Sequence, residues 1–181
     1  IGQPGRGRVD SGAGAAAAGI GALAGAELGG FLRATLDRPS HEVSVAEELA
    51  MTETYLAIEQ VRLGERLRSQ RLTLATAESC TGGWIAKTMT GIAGSSEWFD
   101  CGMVAYSYEA KQAMLGVRPE TLEHQGAVSR ETVYEMARGA KAVAQADYAL
   151  SISGIAGPSG GSAAKPVGTV WFGLATPEGS F

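Results

Sequence analysis

Cysteine is scarce: Cys80 and Cys101 are the only two in 181 residues. Two thiols cannot staple a disulfide scaffold, and a reducing compartment, the cytoplasm, is the simpler expectation. Histidine is equally scarce. His41 and His124 lie far apart, and no Cys/His cluster has zinc-ligand spacing. Neither a metal nor a cofactor is expected, although carboxylates alone can hold Mg²⁺. An excess of positive charge is missing too. Fifteen Lys and Arg stand against nineteen Asp and Glu, a net charge of −4, and no long basic run occurs. That argues against a nucleic-acid partner. Long runs of bulky apolar residues are also absent. The most apolar stretch, residues 11–32, is almost wholly Ala, Gly and Leu and is interrupted by Glu27. It is a poor match to a spanning helix or a secretory signal, so membrane attachment is not favoured.

What is present divides into two unlike parts. Residues 1–51 read as a low-complexity Ala/Gly-rich extension, poor in ordering signals. Gly21, Gly25 and Gly29 recur every fourth residue. Such spacing lets helices approach closely in a membrane, but each glycine lowers helix stability by about 1 kcal/mol. Pro39 and Ser40 punctuate the boundary, and the sequence changes character from Thr52. Leu56, Leu63 and Leu67 then fall on one face of a helix.

Strand and helix signals alternate through 52–181. Residues 72–76 alternate as a short strand, and Thr81-Gly82-Gly83 turns the chain into a helix over 84–89. Residues 101–108 form a second strand, and a short helix over 109–115 is stopped by Gly116. Ser129 is placed to cap a helix over about 130–145. Strands follow at 148–153 and 168–175, separated by a Gly/Pro loop. This alternation predicts an α/β protein, a three-layer α/β/α sandwich around a mixed sheet.

Three constellations could carry chemistry. Glu78-Ser79-Cys80-Thr81-Gly82-Gly83 lies where a strand gives way to a helix. Helix N-termini offer free N–H groups for a phosphate or an oxyanion. An ordinary turn with a capping hydroxyl fits the same residues, and Cys80 is a rival nucleophile if the helix end lowers its pKa. The second constellation is Gly94-Ser95-Ser96, then Tyr106, then Lys111. A serine hydroxyl needs a base, and a buried lysine can be one. On spacing alone a capping serine, a half-buried tyrosine and a solvated lysine fit as well or better. The third is the loop after the strand at 148–153, containing Ser153, Gly154 and Gly157. In open α/β sheets such a loop, off the strand's carboxyl end, borders ligands. It lacks the Gly-Lys-Ser/Thr of a P-loop.

Taken in order, TAESCTGGWIAKTMTGIAGSSEWFDCGMVAYSYEAK, LGV, GAVS, ADYALSISGIAGPSGG and KPVGTVWFGLAT resemble the C-terminal domain of the competence-damage-inducible CinA proteins. The resemblance covers residues 52–181. Stand-alone members of that family are nicotinamide-nucleotide amidases. The resemblance therefore implies hydrolysis of the carboxamide of nicotinamide mononucleotide to nicotinate mononucleotide and ammonia, a step of pyridine-nucleotide recycling. It implies a Ser/Lys mechanism with no metal, with Ser96 as nucleophile, Lys111 as base and Tyr106 beside them. Ser79, Thr81 and Gly82 would contact substrate, and Ser153, Gly154 and Gly157 would line the pocket. On physical grounds Ser79 has the better local geometry for a nucleophile, so Ser79 and Ser96 both stay open. A small nucleotide is the expected partner, and a homo-oligomer fits the family.

The resemblance also implies a basic segment, a closing helix and a substrate arginine after Phe181, the last residue here, so a truncated domain is expected. Two other functions fit the sequence: a catalytically silent nucleotide-binding domain of the same fold, and a membrane-tethered interaction module led by the Ala/Gly segment.

Overall fold

A computed structural model of the chain describes residues 44–181. The expected Ala/Gly extension, its glycine spacing and His41 lie outside the described residues, except for 44–51. By contacts the chain divides at Leu63/Gly64. Helix α1, Val45–Gln70, crosses that division. It begins before the expected Thr52. Of the three leucines expected on one face, Leu67 is buried, whereas Leu56 and Leu63 are exposed. The buried position of the helix's earlier part is Ile58, which the leucine spacing did not indicate.

The unit from Gly64 onward contains a four-stranded mixed sheet in the order β2-β1-β3-β4. Its strands are β1 (Leu74–Glu78), β2 (Phe99–Val104), β3 (Tyr148–Gly154) and β4 (Val170–Ala175). β1 runs parallel to both β2 and β3, and β4 is antiparallel to β3. The helices are α2 (Trp84–Thr90), α3 (Tyr108–Leu115), α4 (Pro119–Gln125) and α5 (Arg130–Ala144). This is the expected α/β sandwich around a mixed sheet.

Alternation along β1 builds both faces of the sheet. Ala75 and Ala77 point into one core with Met103, Leu115, Met136, Ala137, Ala140 and Ala149. Alanines on β1, β3 and α5 let α5 lie close to the sheet. Leu74 faces the other way, with Leu67 and the buried Trp98 and with Met89 and Ile92 packed beside them. Gly64 makes room for that indole, since a Cβ there would stand 3.1 Å from the ring.

Several boundaries differ from the pattern read in the sequence. β1 ends at Glu78 rather than Thr76, so Ala77 and Glu78 belong to the ladder and pair with Ser151 and Ile152. β2 starts two residues earlier and stops at Val104. Ser107 then caps α3 by accepting from Ala110 N–H at 3.1 Å, which ends the apolar alternation. Ser129 caps α5 as anticipated, accepting from Thr132 N–H. Helix α4 was not anticipated. Its signal was Pro119 in the first turn followed by Glu120, the usual start of a short helix. Among the described residues, no helix is long and apolar enough to cross a membrane.

The register is pinned at the amino end of the sheet. Asp147 accepts from Thr73 N–H at 2.8 Å and from its hydroxyl at 3.1 Å. That places β1 and β3 level, so both reach their carboxyl ends together, as does β2.

Candidate active site

Those three carboxyl ends meet at one place. β1 delivers Ser79 and the turn 79–83, β2 delivers Ala105 and Tyr106, and β3 delivers Ser153 and Gly154. The crevice off the carboxyl ends is where open α/β sheets bind ligands. β1 is its centre, because the chain leaves β1 for β2 on one side and later returns to β3 on the other.

Lys111, from the first turns of α3, reaches into this place and is fully buried. Its Nζ lies 2.9 Å from Ser79 Oγ, 2.8 Å from Ala105 O and 2.9 Å from Tyr106 O. All three neighbours are neutral, and none of the ion pairs among the described residues involves Lys111. Burial pushes its pKa below the ordinary lysine value, with a smaller opposing pull from Cys80. A neutral lysine amine has two N–H donors and one lone pair. The two carbonyls can take the donors, and Ser79 O–H can then point at the lone pair. The same three oxygens also match the three N–H donors of an ammonium, and burial shifts the balance toward the neutral amine.

Backbone contacts fix Ser79 from both sides. Its N–H donates to Ile152 O at 3.1 Å, and the preceding carbonyl, Glu78 O, accepts from Ala105 N–H at 2.8 Å. Gly82 and Gly83 both take positive φ, 61° and 100°, which bends the turn sharply back into α2. Among the described residues, the N–H groups of Cys80, Thr81 and Gly83 have no backbone acceptor, so they can meet a developing negative oxygen. Cys80 is partly buried beside Gly154, where an added Cβ would stand 3.1 Å from its Sγ.

The expected contact between Ser96 and Lys111 is not formed. Ser96 sits on a short 3₁₀ turn, Ser95–Glu97, at the amino end of β2, whereas Lys111 approaches the carboxyl end of that strand. Six strand residues separate the two ends, about 20 Å at about 3.3 Å per residue. Ser96 instead borders a separate hollow with Lys87, Thr90 and Asp100. Tyr106 contributes its backbone carbonyl to Lys111, and its side chain is exposed. Thr81 lies two residues after Ser79, with its hydroxyl donated to Glu78 at 2.6 Å. Ser153 is buried, and its hydroxyl donates to Ala127 O at 2.8 Å. Gly154 and Gly157 border the loop after β3. Each leaves no room for a side chain, since a Cβ would meet Val170 at 2.9 Å or Val167 at 2.6 Å. Glu78, fully buried and multiply hydrogen-bonded, is a residue that the sequence reading left without a role.

The family model described as the CinA C-terminal domain matches residues 57–181. This chain belongs to the CinA C-terminal domain family. A curated family member from Escherichia coli K12, named nicotinamide-nucleotide amidohydrolase PncC, is 59% identical over 129 residues, covering 71% of this chain and 78% of its own. A CinA-like protein of Desulfosudis oleivorans is 52% identical over 132 residues, 73% of this chain and 32% of that much longer one. The crystal structure of competence/damage inducible protein CihA from Agrobacterium tumefaciens superposes with a TM-score of 0.66 at 47% identity, covering 67% of this chain and 74% of that one. A second model, described as histidine kinase, matches residues 22–67, which overlap only the start of the CinA match.

Proposed function

We propose that this chain hydrolyses the carboxamide of nicotinamide mononucleotide to nicotinate mononucleotide and ammonia, with Ser79 as nucleophile and Lys111 as its base. The observation that carries the reading is the buried 2.9 Å contact between Lys111 Nζ and Ser79 Oγ at the carboxyl ends of three strands. The 59% identical relative named as a nicotinamide-nucleotide amidohydrolase supplies the substrate class.

An amide is a weak electrophile with a poor leaving group. The site must activate a nucleophile, hold an oxyanion and protonate the departing nitrogen. Lys111 takes the Ser79 proton as Oγ adds to the carboxamide carbon, and the carbonyl oxygen becomes the oxyanion. The free N–H groups of the turn 79–83 stabilise it. The carbon–nitrogen bond then breaks as Lys111 returns the proton to nitrogen, which releases ammonia and leaves an acyl ester on Ser79. Water, deprotonated by Lys111, attacks that ester. Ser79 leaves with the proton back on Oγ, and the product departs as the carboxylate. The substrate's pyridinium charge works in the same direction as burial, because a nearby positive charge disfavours an ammonium.

The test is ammonia release from nicotinamide mononucleotide, coupled to mass analysis of the protein during turnover. An acyl adduct on the peptide carrying Ser79 is expected. Turnover by the Ser79→Ala variant at the wild-type rate would remove this assignment.

A further inference from the structure

Glu78 is a carboxylate with 1% of its surface exposed, immediately before the nucleophile of the proposed reaction, yet no step of that reaction uses it. No cation pairs with it among the described ion pairs. Its partners are three donors of the next segment. Oε2 accepts from Thr81 Oγ1 at 2.6 Å and from Ile85 N–H at 3.0 Å, and Oε1 accepts from Ala86 N–H at 2.8 Å. Helix α2 needs such an acceptor. Its N-cap is Gly83, which has no side chain to cap with, and its first turn holds no acidic residue. A buried carboxylate at that end satisfies otherwise orphaned N–H groups and matches the positive end of the helix.

The consequence reaches Ser79. Side chains alternate along an extended chain, so Glu78 points toward α2 while Ser79 points toward α3 and Lys111. The five residues 79–83 bridge the two contacts, and two of them are glycines with positive φ. Without an anchor at their far end, such residues have more conformational freedom than any others. From these contacts we infer that Glu78 is a positioning residue for the nucleophile. By holding Thr81 and the first turn of α2 to the end of β1, it sets the turn that keeps Ser79 Oγ at Lys111 Nζ. The inference rests on Ser79 acting as the nucleophile.

Glu78→Gln tests it. An amide has only one acceptor oxygen, so it must turn an NH₂ toward either Ala86 N–H or the Ile85 and Thr81 donors. Misplacement of the nucleophile lowers kcat by about 10- to 100-fold while KM changes little, since substrate contacts outside the turn persist. Thr81→Val should lower kcat in the same sense, and Thr81→Ser, which keeps the hydroxyl, should restore it. A parallel readout is the rate at which a small phosphonofluoridate labels Ser79, followed by mass. It should fall with kcat in Glu78→Gln and Thr81→Val, and recover in Thr81→Ser.

If Glu78→Gln does not fold, the two Thr81 variants decide the question. Wild-type kcat and labelling in Thr81→Val, or in a folded Glu78→Gln, overturn the positioning role while leaving the amidase reading intact. A raised KM with unchanged kcat also overturns it, because the turn would then hold substrate and not the nucleophile. Wild-type protein that labels at Ser79 but releases no ammonia from nicotinamide mononucleotide removes the substrate assignment alone. Wild-type protein that does neither overturns both readings.

Discussion

Lys111 Nζ and Ser79 Oγ stand 2.9 Å apart although 32 residues separate them in the chain. The contact exists because α3 starts where β2 ends, next to the end of β1. The lysine stem is packed away from water, and its amine meets only a hydroxyl and two carbonyls.

Ser79→Ala is predicted to reduce ammonia release from nicotinamide mononucleotide by at least about 10³-fold, the scale seen when a nucleophile is removed. Ser96→Ala, at the other end of β2, should stay within about threefold of wild type, since it touches neither Ser79 nor Lys111. Steady-state kinetics on both variants make the comparison. Loss of activity in Ser96→Ala alone would reverse the assignment.

The pH dependence follows from the lowered pKa of Lys111. In the proposed reaction the active amine is neutral, so kcat/KM should rise with pH through a pKa below the ordinary lysine range and then level off. Stability carries the same sign. The folded pKa lies below the unfolded one, so between the two the unfolded chain binds the extra proton and stability rises with pH. The penalty is full below the folded pKa and gone above the unfolded one. Lys111→Met should abolish activity and remove this slope from urea unfolding measured across pH. A slope that persists would place the titrating group elsewhere.

Gly139 lets α5 touch α3. A Cβ there would stand 1.8 Å from Leu115 O, a backbone atom that cannot swing aside. Gly139→Ala should therefore destabilise the fold by about 3 kcal/mol, lowering Tm by about 10 °C. Because α3 carries Lys111, residual activity at permissive temperature should fall as well. Thermal unfolding and kinetics on the same sample test both effects.

Cys80 adjoins Ser79 and faces Gly154, but Lys111 does not contact its sulfur at hydrogen-bond distance. Cys80→Ser should keep activity within about fivefold, as expected for a neighbour that holds no reacting atom. Rapid inactivation of wild type by iodoacetamide, absent in Cys80→Ser, would show instead that the thiol is the nucleophile.

Much of the fold was legible because local chemistry dictates it. Ser129 as an N-cap announced α5, Gly116 announced the end of α3, and four strand-like runs announced the four strands. Thr76 illustrates where that reading stops. The sequence ended β1 there, yet two more residues pair with β3 because Ser151 and Ile152 are held opposite them. Short strands take their ends from partners, which periodicity does not record.

The sequence by itself determined the α/β class, the motif residues of the family and the strand–turn–helix that bears Ser79. It could also supply Lys111 as a base, since lysine is the residue type able to serve once buried. Only the tertiary structure decided which serine that lysine meets. Ser96 is closer to Lys111 in sequence than Ser79 is, but a strand is rigid and extended, so its two ends are held apart. Parallel pairing of β1 with β2 brings their carboxyl ends level, and that long-range register puts Ser79 at the buried amine.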